Sequence, residues 1–166
     1  MLKEKYNNTP VYGFVPREKT RFCDKDIFGD DLWKYVILRK IKLWYGTPKS
    51  GDENVKDKCV LGIQCVYQDI VTGGKTTTEQ HCGELSGDDV EVKELELKEN
   101  DFFTKFNVDF DTAITHLKFT TKNEEFLEVG KEKEETKKTV EFNEIKDTMV
   151  QSFIGCFNQY GLRALG

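Results

Sequence analysis

Few side chains in this chain have the spacing that chemistry requires. His81 and Cys82 are adjacent. A thiol–imidazole couple needs side chains that face each other, and strand neighbours point to opposite faces, so both are expected to be structural. His116, the only other histidine, falls mid-strand and carries the same expectation. The carboxylate pairs Asp30-Asp31 and Asp88-Asp89 fall in predicted turns, where Asp caps local backbone N–H groups. Neither pair has the oxygen spacing of a calcium loop. The five cysteines, Cys23, Cys59, Cys65, Cys82 and Cys156, form no CxxC pair, which leaves a zinc ribbon unsupported. No phosphate-cradling glycine loop and no G-x-S-x-G turn is present. Catalytic residues, metal ligands and cofactors are therefore expected to be none. The segment best equipped for recognition is Asn158-Gln159-Tyr160-Gly161-Leu162-Arg163, with amides, a ring and a cation in six positions.

The elements that must position these residues read as strands. Ile37, Ile41, Leu43 and Tyr45 share one parity, with Arg39 interrupting, and Leu61, Ile63, Cys65 and Tyr67 share another. A period of two is that of a sheet with one buried face. Gly73-Gly74 predicts a hairpin, followed by a strand over Thr76 to Cys82. Val90 and Val92 have one parity and Leu95 and Leu97 the other, which predicts a bulge between them. Phe106, Val108 and Phe110, then Leu117 and Phe119, flank a turn at Asp111-Thr112-Ala113. Glu125 to Val129, Val140 and Phe142, and the apolar run Val150 to Phe157 complete the set, with one helical turn expected at Asn143 to Val150. The charged run Lys131 to Lys138 predicts a solvated loop. Roughly ten short strands with glycine or polar turns mean an all-β sandwich, barrel or prism.

Composition narrows the function classes. The chain has 166 residues, suited to one domain with a sizeable core. Phenylalanine occurs 12 times against 2 methionines, and bulky aromatics favour pleated surfaces. A net charge of −5 disfavours nucleic acid and anionic membrane as partners. No apolar run reaches the length of a membrane span, and Met1-Leu2-Lys3-Glu4-Lys5 lacks the apolar core of a secretory signal. With an odd cysteine count, this predicts a cytoplasmic, reducing location. Pro10 and Pro16 and weak alternation mark residues 1–27 as an extended arm, with Tyr12, Phe14 and Arg17 as its candidate partner-binding residues. The arm could lie on the domain's own surface or on a partner.

Several segments resemble the jacalin-like lectin family. Phe28-Gly29-Asp30-Asp31 followed by Ile41-Lys42-Leu43-Trp44-Tyr45-Gly46 is similar to its opening turn and strand. Leu61-Gly62-Ile63-Gln64-Cys65-Val66-Tyr67 resembles its G-I-Q-x-x-Y strand, and His81-Cys82-Gly83 its H-G-G turn with Cys82 in place of a glycine. Leu95-Glu96-Leu97, Phe102 to Phe106 and Leu117 to Asn123 are similar to later strands. Phe153-Ile154-Gly155-Cys156-Phe157 and Leu162-Arg163-Ala164-Leu165-Gly166 resemble the closing ones. The motifs follow in order over about residues 27–166. The resemblance implies a β-prism of three four-stranded antiparallel sheets over residues 28–166, preceded by the irregular arm.

The resemblance also implies a sugar site. In the family a carboxylate in a G-x-x-x-D loop before the last strand accepts hydroxyl hydrogen bonds, and backbone N–H groups donate to the same oxygens. Counted from Gly161 the acidic position is Leu165; aligned on the closing Leu-x-x-Leu-Gly it is Arg163. Arginine offers donors only, so neither can replace the acid. The family's glycine-rich N-terminal loop is also missing; Arg17 to Asp26 stands there. The expectation is a non-catalytic interaction or structural subunit of a larger protein assembly, with a degenerate sugar loop at Asn158, Gln159, Tyr160, Gly161 and Arg163. The alternative is a carbohydrate-binding lectin with a modified site, in which Tyr160 stacks on the sugar.

Overall fold

A computed structural model describes residues 11–48, 57–85, 87–133 and 149–166, together with the backbone of 138–141. The described chain is built from antiparallel sheets, as the alternation predicts. The strands are β1 (Tyr12–Gly13), β2 (Thr20–Cys23), β3 (Val36–Gly46), β4 (Cys59–Asp69), β5 (Lys75–Thr77), β6 (His81–Cys82) and β7 (Glu91–Glu96). They continue with β8 (Phe103–Phe110), β9 (Ile114–Thr121), β10 (Phe126–Gly130), β11 (Lys138–Glu141), β12 (Ile154–Asn158) and β13 (Gly161–Leu165). Three sheets form: β1-β13-β12-β2, β10-β9-β8-β11, and β5-β4-β3-β7 with β6 also paired to β4. The third sheet exceeds the expected four strands because the Thr-rich segment breaks into two short pieces, β5 and β6, both on β4.

Two register shifts keep long strands facing the core. The pairing of β3 with β4 skips Arg39, passing from Leu38↔Tyr67 to Lys40↔Val66. The extra residue restores phase, so Val36 and Leu38 before the bulge and Ile41 and Leu43 after it all face inward and are buried. Arg39 turns outward, where its Nε donates to Gln68 Oε1 at 2.9 Å. A second shift at Trp44/Tyr45 makes Leu61 the extra residue on β4. Val60 and Ile63 then enter the main core, while Leu61 and Cys59 join Trp44 and Ala113 in a smaller cluster.

β7 has no bulge. Its register with β3 runs unbroken from Tyr45↔Glu91 to Lys40↔Glu96. Residues directly opposite on an antiparallel pair share a face, so Glu91, Lys93 and Leu95 stand on the side of Tyr45, Leu43 and Ile41. Val92 points out, half exposed. The apolar run Val150 to Phe157 likewise differs from expectation, since only Ile154–Asn158 is strand. Val150 and Phe153 still sink into the core, and Val150 N–H donates to Phe103 O. The expected turn at Asn143 to Val150 and part of the charged run lie outside the described residues. A short helix α1 (Gly29–Leu32) lies between two 3-10 turns, Asp24–Ile27 and Trp33–Tyr35.

The described part of the arm is tied into the first sheet. Tyr12 and Gly13 pair with Leu165 and Ala164 of β13, and Thr20 to Cys23 pair with β12. Beyond β2, buried Asp24 accepts from the Tyr67 hydroxyl at 2.6 Å and lies 3.0 Å from His81 Nε2. The His81 ring stacks on Phe22 at 4.0 Å. These contacts hold residues 20–24 against β4 and β6.

Candidate functional site

The recognition segment folds as a tight hairpin. Asn158 and Gly161 pair at its base, with Gln159 and Tyr160 as the two-residue turn. The Asn158 side chain shapes it: its Oδ1 accepts from Tyr160 N at 3.0 Å, an Asx turn, and from Arg163 Nε at 3.0 Å. Gly161 adopts φ +129°, and a Cβ there would meet Val60 O at 2.8 Å. Only glycine permits both that dihedral and that approach.

The hairpin tip is enclosed by loops that sequence reasoning did not connect to it. Gly83 packs so closely that a Cβ would lie 2.5 Å from Gln159 O and from Gly161 N. The Glu84 N–H donates to Gln159 O at 2.9 Å, and the Cys59 thiol lies 3.8 Å from Tyr160 O. Burial pushes that thiol up to about 11, with Arg163 opposing the shift. The His81-Cys82-Gly83 motif signalled a turn, but not that the turn would rest on the hairpin.

Arg163 is 3% exposed. Its Nη1 donates to Thr112 O at 2.8 Å, and its guanidinium lies 5.7 Å from the centre of the Tyr160 ring. It makes no ion pair among the described residues. The donors at the tip are thus partly used: Tyr160 N–H by Asn158, and two guanidinium edges by Asn158 and Thr112. Gln159 is exposed and Tyr160 half-buried. Among the described residues, the one acidic residue hydrogen-bonded to the tip is Glu84, through its backbone, with its side chain exposed.

The arm candidates separate. Tyr12 packs its ring edge-on against Phe106 at 6.3 Å. Phe14 donates its N–H to Arg163 O, but its ring is 52% exposed, beside exposed Val11 and Val15. Arg17 is exposed in the β1–β2 connection. The structure therefore brings the backbone of the arm, not its side chains, to the hairpin.

The histidines are each held by carboxylates. His81 is bound by Asp24, and Cys82 contacts Gln80 with its thiol pushed up by burial. His116 Nε2 lies 2.9 Å from Glu128 Oε1, and its Nδ1 is 3.4 Å from Asp109 Oδ2 without hydrogen-bond alignment. Among the described residues no three His, Cys, Asp or Glu side chains converge as metal ligands, and no helix is long and apolar enough to cross a membrane.

The sequence matches the family model described as "Jacalin-like lectin domain" over residues 52–166. The chain belongs to the jacalin-like lectin family. No curated protein matches it. Solved structures that it resembles include a mannose-binding lectin from Champedak, at 14% identity and TM-score 0.67, covering 99% of this chain and 96% of that one. A mannose-specific jacalin-related lectin from Morus nigra, solved with mannose, has 16% identity and TM-score 0.67 over the same shares. The artocarpin–mannotriose complex has 17% identity and TM-score 0.65, covering 97% of each chain. At these identities the likeness establishes the β-prism fold alone.

Proposed function

We propose that this jacalin-like domain is a non-catalytic binding module whose closing hairpin does not hold a neutral sugar. The observation that carries this reading is Arg163. It stands where the family resemblance, aligned on the closing Leu-x-x-Leu-Gly, puts the sugar-binding carboxylate, and it is buried and committed to Asn158 Oδ1 and Thr112 O. Counted from Gly161, the position falls instead on apolar Leu165. A sugar hydroxyl there meets donors where it needs an acceptor. In this reading residues 28–166 form the module and residues 1–27 the arm. The exposed apolar side chains Val11, Phe14 and Val15 dock onto a protein partner in a larger assembly. The free cysteines fit a reducing, cytoplasmic setting.

The test is titration with mannose and mannotriose, the sugars bound by two of the similar lectins, together with a neutral glycan array. The expected result is no saturable binding. Binding that is lost in Asn158→Ala or Glu84→Gln would overturn the reading. One observation favours that second outcome, a lectin with a modified site: the exposed Glu84 side chain stands beside the tip and could supply the missing acceptor. The arm is tested by Phe14→Asp, which leaves β1 and β2 intact where deletion of residues 1–27 would remove both. Loss of co-migration with a large native complex is expected, and unchanged co-migration would refute a docking role.

A further inference from the structure

A hollow of about 510 Å³ lies along the junction of β7 and β10. It exists because the face that β7 turns inward is charged. Glu91 and Lys93 stand opposite Tyr45 and Leu43, at positions that would otherwise complete the core. Lys93 spans the gap, donating from Nζ to Glu128 O at 3.1 Å on β10. Lys131 and Lys133 follow the end of β10 and line the same hollow, as do Tyr45, Asp57 and Lys58, the last lying 3.9 Å from Asp89 Oδ2. A smaller hollow of about 420 Å³ continues along β10, sharing Lys93 and Gly130 with the first. A pocket of this size accommodates one or two sugar rings.

Four charges in the hollow are uncommitted, while Lys93 is held by Glu128 O and Lys58 by Asp89. Among the described residues, the ammonium groups of Lys131 and Lys133 pair with no carboxylate, the Lys133 backbone N–H alone donating to Asp109 Oδ2, and Asp57 and Glu91 pair with no cation. Glu91 is the cross-strand partner of Tyr45, and Asp57 lines the hollow with them; the phenol is pushed up by burial first, then by the Cys59 thiol, Glu91 and Asp57. Lys131 and Lys133 stand on the β10 side, whereas Lys58, next to Asp57, pairs with Asp89 and Lys93 lies on β7. The hollow therefore has an acceptor end beside an aromatic ring and a cationic end opposite. A simple anion would leave the acceptor end unused and be repelled by it. A neutral sugar would leave the two lysines without counter-charge. A hydroxyl-rich ring that also carries an acidic group matches both ends.

We propose that this hollow binds a sugar bearing an acidic substituent, a sulfate or a carboxylate. Lys131 and Lys133 hold the acidic group, Asp57 and Glu91 accept from ring hydroxyls, and Tyr45 lies against the ring. This site is separate from the closing hairpin, and it goes beyond the function proposed above.

The experiment measures binding of the full chain to matched glycans in neutral, sulfated and uronate forms, with DNA as a polyanion lacking the sugar pattern. The expected result is saturable binding to a sulfated or uronate form, weakened by salt, and at least about tenfold tighter than to its neutral counterpart. The two acidic forms distinguish which group is held. Lys131→Glu/Lys133→Glu should lower that affinity by at least about tenfold, while Lys34→Glu/Lys122→Glu, with the same change in net charge elsewhere, should not. Thermal melting checks that both variants fold, and Lys131→Gln/Lys133→Gln replaces the reversal if it does not. Absence of binding to every acidic glycan overturns the proposal. So do equal binding to neutral forms, equal binding to DNA, or affinity that survives the Lys131/Lys133 change and falls in Asn158→Ala. Absence of acidic-glycan binding and equal binding to DNA leave the role of Arg163 untouched; that reading is overturned only by neutral-sugar binding that Asn158→Ala or Glu84→Gln abolishes.

Discussion

Asp24 offers the sharpest test of how the N-terminal segment is held. It is 1% exposed and accepts from two groups, the Tyr67 hydroxyl at 2.6 Å and the His81 ring at 3.0 Å. Hydrogen bonds to a charged group contribute about 1.5 to 3 kcal/mol each, and a buried polar group left without its partner costs about 1 to 3 kcal/mol. In Asp24→Ala the Tyr67 hydroxyl, in a residue 1% exposed, loses its acceptor. His81 is less penalised, since its side chain is 12% exposed and water can reach it. The expected loss is about 4 kcal/mol, which in a domain of this size lowers the melting temperature by about 10 °C. Tyr67→Phe removes one bond and leaves Asp24 paired with His81, so it should cost about 1.5 kcal/mol. The double variant should cost less than the sum, because the phenylalanine has no hydroxyl to strand. Urea unfolding of all four proteins measures this cycle. A loss below about 1 kcal/mol in Asp24→Ala, or strict additivity, would refute the network as the anchor of residues 20–24.

Two further outcomes follow from the hairpin's surroundings. Gly83→Ala places a methyl 2.5 Å from Gln159 O and Gly161 N. It should destabilise the protein by about 2 to 3 kcal/mol in urea unfolding, and near-wild-type stability would show the contact to be loose. Cys59 governs an alkaline limit. Burial raises its folded value from 9.0 to about 11, so its neutral thiol supports the fold fully below pH 9, and that support is lost as pH rises through about 11. The displacement corresponds to about 3 kcal/mol. Stability measured from neutral to strongly alkaline pH should fall less steeply in Cys59→Ala. The buried Cys65 and Tyr67, also raised, contribute to the rest of the slope.

Much of the prism was legible because alternation reports burial directly. Ile63, Cys65 and Tyr67 read as one buried face and are within 1% of full burial, whereas Leu61, read with them, is buried in the smaller cluster because the second bulge takes it off that face. Arg39 marked an interruption, and the structure makes it the bulge that keeps β3 in phase. β7 misled because its inward face is charged: Val92 and Leu95 suggested two phases, while pairing with β3 imposes one. The Val150 to Phe157 run misled for the opposite reason, since buried residues need not be in a strand. At the hairpin the residue types were visible, and Asn158 and Arg163 do meet. Their outer partners were not, because Thr112 and Gly83 arrive from other sheets and no local pattern encodes that approach.

The first sheet joins the two ends of the described chain, with β1 on β13 and β2 on β12. On a ribosome, Tyr12 to Cys23 therefore emerge long before the strands that will pair with them. Closing so distant a contact is slow, because the whole intervening loop must be ordered first. Until then the apolar faces of Tyr12 and Phe22 have no seat, and a nascent chain paused before Ile154 leaves one side of the prism open.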